Sequence, residues 1–319
     1  MDGCFRLSQL FFAHFNYSFA FQLLLFHDKF GDRIKLDGEV NIVSLSTSPL
    51  SFPMPERACN SHLHIIDPGF PNDGKAAAQI GTVETYRELA RKLELPRAVF
   101  VQAKPFACDN TCLLDAIARF GPENARGIAV VDNTVTDRQL ADLHAGGIRG
   151  LRFSIWNPKN AVVSFSDCYP LSERIKDMGW NIQLHMSAAQ IAQSADTIRR
   201  LPCKVVFDHM GRLDPRLGNR DPAYTFLLEM VERGNAWIKL SGPYLNTLTG
   251  HPWDDASATA RDIARFAPER VVWGSDFPHV TEEEKPDEME LTELISNWLP
   301  TEEARQLALA DNPAKLFGF

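Results

Sequence analysis

Four histidines and one aspartate stand near the ends of four separate β-branched runs. CNSHLHIID at 59–67 carries His62 and His64, and NIQLHM at 181–186 carries His185. KVVFDHMGR at 204–212 carries His209, and RVVWGSDFPH at 270–279 carries Asp276. Alternate residues of a strand share a face, so His62 and His64 point together at one centre. The others are distant in the chain. A (β/α)8 barrel unites such residues, because it turns the ends of eight parallel strands toward one mouth.

The remaining text supports that architecture. Strand-like runs occupy 59–67, 97–104, 125–132, 148–155, 181–186, 204–211, 236–242 and 270–277, which makes eight. Several, such as Val205-Val206-Phe207, are continuous apolar runs, as expected of strands covered on both faces. Amphipathic stretches alternate with them at 82–93, 110–120, 137–144, 166–178, 188–200, 221–233 and 254–266. Gly121, Gly179 and Gly234 follow three of these, as helix C-termini favour. Segments 287–299, 301–309 and 313–319 supply the eighth helix and a C-terminal helical cover. The rival is a doubly wound open sheet. Eight strands with polar residues gathered at their C-terminal ends favour an α/β TIM barrel over 54–319.

Residues 1–53 read as a loosely ordered, non-barrel N-terminal extension, with Met54 as an alternative natural start. Leu10–Phe26 is apolar and aromatic, but His14, Asn16, Ser18 and Gln22 interrupt it. It falls short of the ~20 apolar residues of a spanning helix. It also lacks a convincing cleavage site for export. A formal charge of −8 argues against a nucleic-acid or anionic-membrane partner. The six cysteines are scattered with no Cys-x-x-Cys pair, which suits free thiols in a cytoplasmic protein. Homo-oligomer formation stays open.

Imidazole nitrogen and carboxylate oxygen are ligands for zinc and similar ions, so His62, His64, His185 and Asp276, with His209 in reserve, could hold one divalent ion. Each histidine alone is as readily a hydrogen-bonded core residue. Their shared placement at the catalytic ends of strands points to a site. Ser61 and Ser241 lack the Gly-x-Ser-x-Gly setting of a serine-hydrolase nucleophile.

Together with Asp67-Pro68, Gly150-Leu-Arg152-Phe153, Asp208-His209-Met210-Gly211-Arg212, Lys239-Leu-Ser-Gly242 and Trp273-Gly-Ser-Asp276-Phe-Pro-His279, these motifs closely resemble the amidohydrolase superfamily. The similarity runs from about Cys59 to the C-terminus. Its nearest branch contains 2-pyrone-4,6-dicarboxylate lactonases, 4-sulfomuconolactone hydrolases and D-galactarolactone isomerases. The resemblance implies a barrel that opens a small anionic lactone with water. Asp276 would be the base, and His62, His64 and His185 would bind a metal or polarise the carbonyl. Two-metal members carry a bridging lysine or glutamate at the end of strand four. Here that strand reads Ile148-Arg-Gly-Leu-Arg-Phe-Ser154, so the expected cofactor is none or one divalent metal ion, zinc if any.

Arg152 and Arg212 could grip a substrate carboxylate bidentately; the alternative is structural pairing with Asp208 or Asp214. His279 and Tyr244 are further substrate-binding candidates; the alternatives are that His279 stands behind the residues that touch substrate and that Tyr244 is an ordinary packed tyrosine. Lys239 is expected to be paired inside the barrel. An aldarolactone isomerase, a metal-dependent decarboxylase and a non-catalytic ligand-binding barrel are the competing functions.

Overall fold

The computed structural model describes residues 50–76 and 80–319. Residues 1–49, and with them most of the expected extension and Cys4, lie outside the described residues. Eight strands follow one another in chain order, every neighbouring pair parallel. They are β1 (Cys59–Leu63), β2 (Arg97–Val101), β3 (Ala125–Ala129), β4 (Ile148–Ser154), β5 (Asn181–His185), β6 (Lys204–Phe207), β7 (Ala236–Leu240) and β8 (Val271–Trp273). All eight expected strands are present. Two backbone hydrogen bonds join β8 to β1: Asp276 N–H to the His62 carbonyl at 2.9 Å, and His64 N–H to the Phe277 carbonyl at 2.7 Å. The fold is a TIM barrel.

Helices fall where the amphipathic stretches predict, and several of their starts are capped by a side chain. Thr82 caps Val83–Lys92, and Asp287 caps Glu288–Trp298. Thr136 with Gln139 and Ser187 with Gln190 form reciprocal capping boxes. The stretch 188–200 is not one helix. It breaks at Ser194 into Ala188–Gln193 and Ala195–Arg199. Serine readily terminates a helix, because its hydroxyl competes for backbone partners.

Barrel packing begins before the expected boundary at Met54. Phe52 is buried in the main core, with the Arg305 guanidinium 5.1 Å from its ring centroid. At the other terminus, Leu316 and Phe317 of the helix Asn312–Phe317 join a second core with Val99, Val101, Ile128, Val206, Trp237 and Val272. Above that apolar floor the strands change character. On β7, apolar Trp237 is followed two residues on by Lys239 and then by Ser241; on β6, Val206 is followed by Asp208. Residues two apart share a face, so the polar layer stands directly on the apolar one, toward the mouth. No helix among the described residues is long and apolar enough to cross a membrane. The five described cysteines are free thiols.

Candidate active site

The joining of β8 to β1 builds the centre of the site. The hydrogen bond that ties Asp276 N–H to His62 also brings the Asp276 carboxylate beside both imidazoles of the His-x-His pair. Oδ1 lies 3.4 Å from His62 Nε2 and 3.6 Å from His64 Nε2. This approach requires a glycine two residues earlier. A Cβ on Gly274 would stand 2.5 Å from His62 Cβ and 2.7 Å from His62 N, closer than side chains tolerate. Asp276 itself has φ +69°, an uncommon conformation for a residue with a side chain. Such strain is held where the surroundings demand it, and it clusters at functional sites.

The turn after β6 is stranger still. His209, Met210, Gly211 and Arg212 all have positive φ, between 50° and 67°. This left-handed turn sets the His209 ring against those of His62 and His185, with centroids 4.7 and 5.1 Å away. Ser241 bonds His209 Nδ1 at 3.0 Å. Ser154, at the end of β4, bonds His185 Nδ1 at 2.9 Å, as the register Ser154 opposite His185 allows.

Beneath the histidines lies a buried ionic layer. The Lys239 ammonium is 2.7 Å from His62 Nδ1 and 3.1 Å from Asp208, and it bonds Gln183 at 2.5 Å. Arg152 Nε bonds the other Asp208 oxygen at 2.9 Å. An ammonium has only hydrogens to offer, so His62 Nδ1 accepts and its ring proton sits on Nε2, toward Asp276. Burial pushes Lys239 down to about 8, against the pull of Asp208. Burial alone would raise Asp208, but the charges of Lys239 and Arg152 outweigh it and hold the carboxyl well below the usual range. Asp276 is likewise held well below it: burial opposes ionisation, and the surrounding imidazoles of His209, His62 and His64 prevail. Burial, followed by the charge of Arg152, lowers His185 to about 3, and burial also lowers His64 and His209. These three rings are neutral at pH 7, while the two aspartates are ionised.

A cavity of about 560 Å³ opens above, within the usual range for small-molecule sites. His64, His185, His209, Asp276, Arg152, Arg212 and Tyr244 line it, with Trp156, Lys104 and Glu282. The Arg212 guanidinium lies 4.8 Å from the centroid of the half-exposed Trp156 ring, a cation–π contact that presents the charge at the wall. A hollow of equal volume, lined by Met54, Arg87, Arg91 and Phe120 beside the starts of β1 and β2, has no such cluster.

Two sequence expectations change. His279 does not reach the cavity. It is fully buried behind Tyr244, with Nδ1 2.9 Å from the tyrosine oxygen and Nε2 2.8 Å from Glu288. Pro278 and a φ of +57° at His279 turn it inward, a direction that spacing alone cannot show. Arg152 borders the cavity, but its Nε is committed to Asp208, the structural pairing that was the alternative to gripping substrate. Tyr244 lines the cavity and donates to Asp276 Oδ2 at 2.8 Å. Sequence reasoning missed Glu288, Trp156, Ser154 and Lys104. Of these, only Ser154 was legible, as the last residue of a strand beside one ending in histidine.

Of the residues that could hold a metal ion, His64 and Asp276 present free lone pairs, whereas His62 could ligate only on losing the Nε2 proton that Lys239 keeps there. His62, His64 and Asp276 offer ligand atoms within 4.8 Å of one another. The Nε2 atoms of His62 and His185 are buried with no hydrogen-bond partner. His64 Nδ1 bonds the Val101 carbonyl at 2.9 Å, which leaves its Nε2 lone pair toward Asp276, the polarity a ligand needs. His185 stands outside this group of three, with its ring against that of His209.

Comparison with known proteins agrees with this geometry. The amidohydrolase family pattern matches residues 59–319. A D-galactarolactone isomerase from Agrobacterium fabrum is 31% identical over 270 residues, which cover 82% of this chain and 91% of the relative. A 4-sulfomuconolactone hydrolase from Rhizobium radiobacter is 30% identical over 283 residues, covering 85% and 93%. Among solved structures, that of a probable 2-pyrone-4,6-dicarboxylic acid hydrolase from Acinetobacter baumannii with citric acid bound superposes with a TM-score of 0.72. It is 25% identical, and the match covers 82% of this chain and 100% of the other. With the family pattern running from the first strand to the last residue, the chain belongs to the amidohydrolase family.

Proposed function

We propose that the protein is a lactonase that opens a small carboxylated lactone with water. One observation carries the reading: a buried Asp276 at the cavity floor, with Oδ1 facing two imidazoles and Oδ2 held by Tyr244. Arg212, braced on Trp156, receives a substrate carboxylate, and Lys104 and Arg152 add positive charge to the same cavity. The relatives act on lactones by name, and the Acinetobacter protein holds a tricarboxylate, which favours this substrate class.

Asp276 takes a proton from water through Oδ1 as the water oxygen bonds to the lactone carbonyl carbon. The carbonyl electrons move to oxygen. With the Ser154 hydroxyl donating to His185 Nδ1, the ring hydrogen falls on Nε2, which has no other partner and stabilises that oxyanion. The low pKa of His185 keeps it a hydrogen-bond donor rather than an acid. As the tetrahedral intermediate collapses, the ring C–O bond breaks and the leaving oxygen takes the proton from Asp276. The product is a hydroxy acid. A divalent ion such as zinc would be held by His64 and Asp276, with His62 once its Nε2 proton is lost, and would polarise the carbonyl and lower the pKa of water.

A panel of carboxylated lactones, followed by proton release with and without chelator, tests the assignment. Asp276→Asn should lower kcat by about 10²–10⁴-fold. A loss of only a few-fold removes Asp276 as the base. The isomerase relative motivates a second reading, acyl migration between hydroxyls in the same pocket. Exchange of 1,4- and 1,5-aldarolactones without proton release would select it.

A further inference from the structure

A string of short contacts leads from the base into the protein. Asp276 Oδ2 is 2.8 Å from the Tyr244 oxygen, Tyr244 is 2.9 Å from His279 Nδ1, and His279 Nε2 is 2.8 Å from Glu288 Oε1. His279 and Glu288 are both fully buried, and Glu288 Oε2 has no hydrogen-bond partner among the described residues. Neither lines the cavity, so neither can touch substrate.

Counting hydrogens assigns their direction. Each of the three contacts needs one hydrogen, since two lone pairs at such distances repel. A carboxylate oxygen only accepts, so the single tyrosine hydrogen belongs to Asp276 Oδ2. The tyrosine oxygen must then accept from His279 Nδ1–H. One more hydrogen lies between His279 Nε2 and Glu288, whichever atom carries it. Without Glu288 the neutral imidazole is free to move its hydrogen from Nδ1 to Nε2. Nδ1 then becomes an acceptor and draws the tyrosine hydrogen away from Asp276.

We propose that Glu288 is a positioning residue for the reaction base, acting through His279 and Tyr244 to occupy Oδ2 of Asp276 and reserve Oδ1 for the water. The inference rests on the lactonase reading and extends it to a residue twelve positions beyond the base. Glu288 belongs to the first turn of the helix Glu288–Trp298, so a helix of the barrel wall is tied directly to the site.

The experiment is a double-mutant cycle in the full chain, read as kcat and KM on a turned-over lactone. Glu288→Leu should lower kcat by about tenfold, the value of a charge-assisted hydrogen bond, with KM within about twofold. Tyr244→Phe should lower it at least as far, and the double variant should be no worse than Tyr244→Phe alone. Glu288→Gln should retain activity within about threefold, since its amide can donate to Nε2 and keep the hydrogen on Nδ1. Additive losses, or unchanged kcat in a folded Glu288→Leu protein, overturn the proposal. A role confined to packing would lower the melting temperature and leave kcat intact. Should Glu288→Leu fail to fold, His279→Asn takes its place in the cycle, because asparagine tolerates the positive φ there. The two levels separate cleanly. If Asp276→Asn silences the enzyme while the cycle is additive, only the positioning role falls; if the wild type opens no lactone, both fall.

Discussion

At the scale of single residues, the least replaceable charge is one that never meets substrate. Lys239 fixes the tautomer of His62 and neutralises Asp208, and its pKa near 8 places its deprotonation within reach of assay. Asp276 lies well below the usual carboxylate range, and His185 titrates at about 3. Neither Asp276 nor His185 therefore changes charge between pH 5 and 7. Loss of the Lys239 proton should lower kcat/KM as pH rises through about 8. A fall centred near 6.5 would mean that a histidine titrates and would sink the assignment of Lys239. Stability follows different signs. The depressed Asp208 and Asp276 stabilise the fold above their unfolded pKa, near 3.8, and that contribution is lost as pH falls through the lower folded values. For Lys239 the unfolded chain binds more protons between about 8 and 10.5, so its contribution to stability rises with pH there while activity declines. Lys239 was legible as a paired interior residue because a lysine inside an apolar strand must find a partner. That the partners would be His62 and Asp208 depends on which strand tops adjoin, and no spacing contains it.

At the scale of elements, function depends on the junction of the last strand with the first. Gly274 permits β8 to approach His62, and the two joining hydrogen bonds then place Asp276. Gly274→Ala should force the backbones apart and lower kcat by about 10–100-fold, as displacements near 1 Å do. Gly179 offers the control. It ends a helical segment at φ +71° with open space around it, so Gly179→Ala should cost about 1 kcal/mol of stability and leave kcat unchanged. Equal catalytic losses in both would mean that β8 is positioned by general stability and not by close approach. The strands themselves were readable because buried parallel strands are continuous apolar runs, and the active residues sit just past their ends. Glu288 was not. At the start of the helix Glu288–Trp298 it looks like Glu290, an ordinary acidic residue favoured by the helix dipole. Only the burial of one and the exposure of the other distinguish them, and burial is set by a partner that folds inward nine residues earlier.

At the scale of the molecule, the two ends of the barrel divide the work. Chemistry occupies the C-terminal ends of the strands, and the chain terminus holds the opposite end shut. The Phe319 ring lies between the guanidinium groups of Arg97 and Arg126, 5.0 and 4.7 Å from their carbons, and Arg126 donates to the Gly318 carbonyl at 2.7 and 3.2 Å. A C-terminal cover was legible from the helical pattern after residue 300; its position under the floor was not, because the amphipathic face of a short helix does not name the surface it will cover. This division makes stability and turnover separable. Phe319→Ala removes two cation–π contacts and exposes part of the apolar floor, at a cost of about 1–2 kcal/mol. For a chain of this size that lowers the melting temperature by about 2–8 °C. Because the catalytic layer stands on the polar layer and not on the terminus, kcat and KM measured well below the transition should remain at wild-type values. If kcat fell with the melting temperature, the polar layer of Lys239, Asp208 and Gln183 would not be the rigid partition that insulates the site from the base.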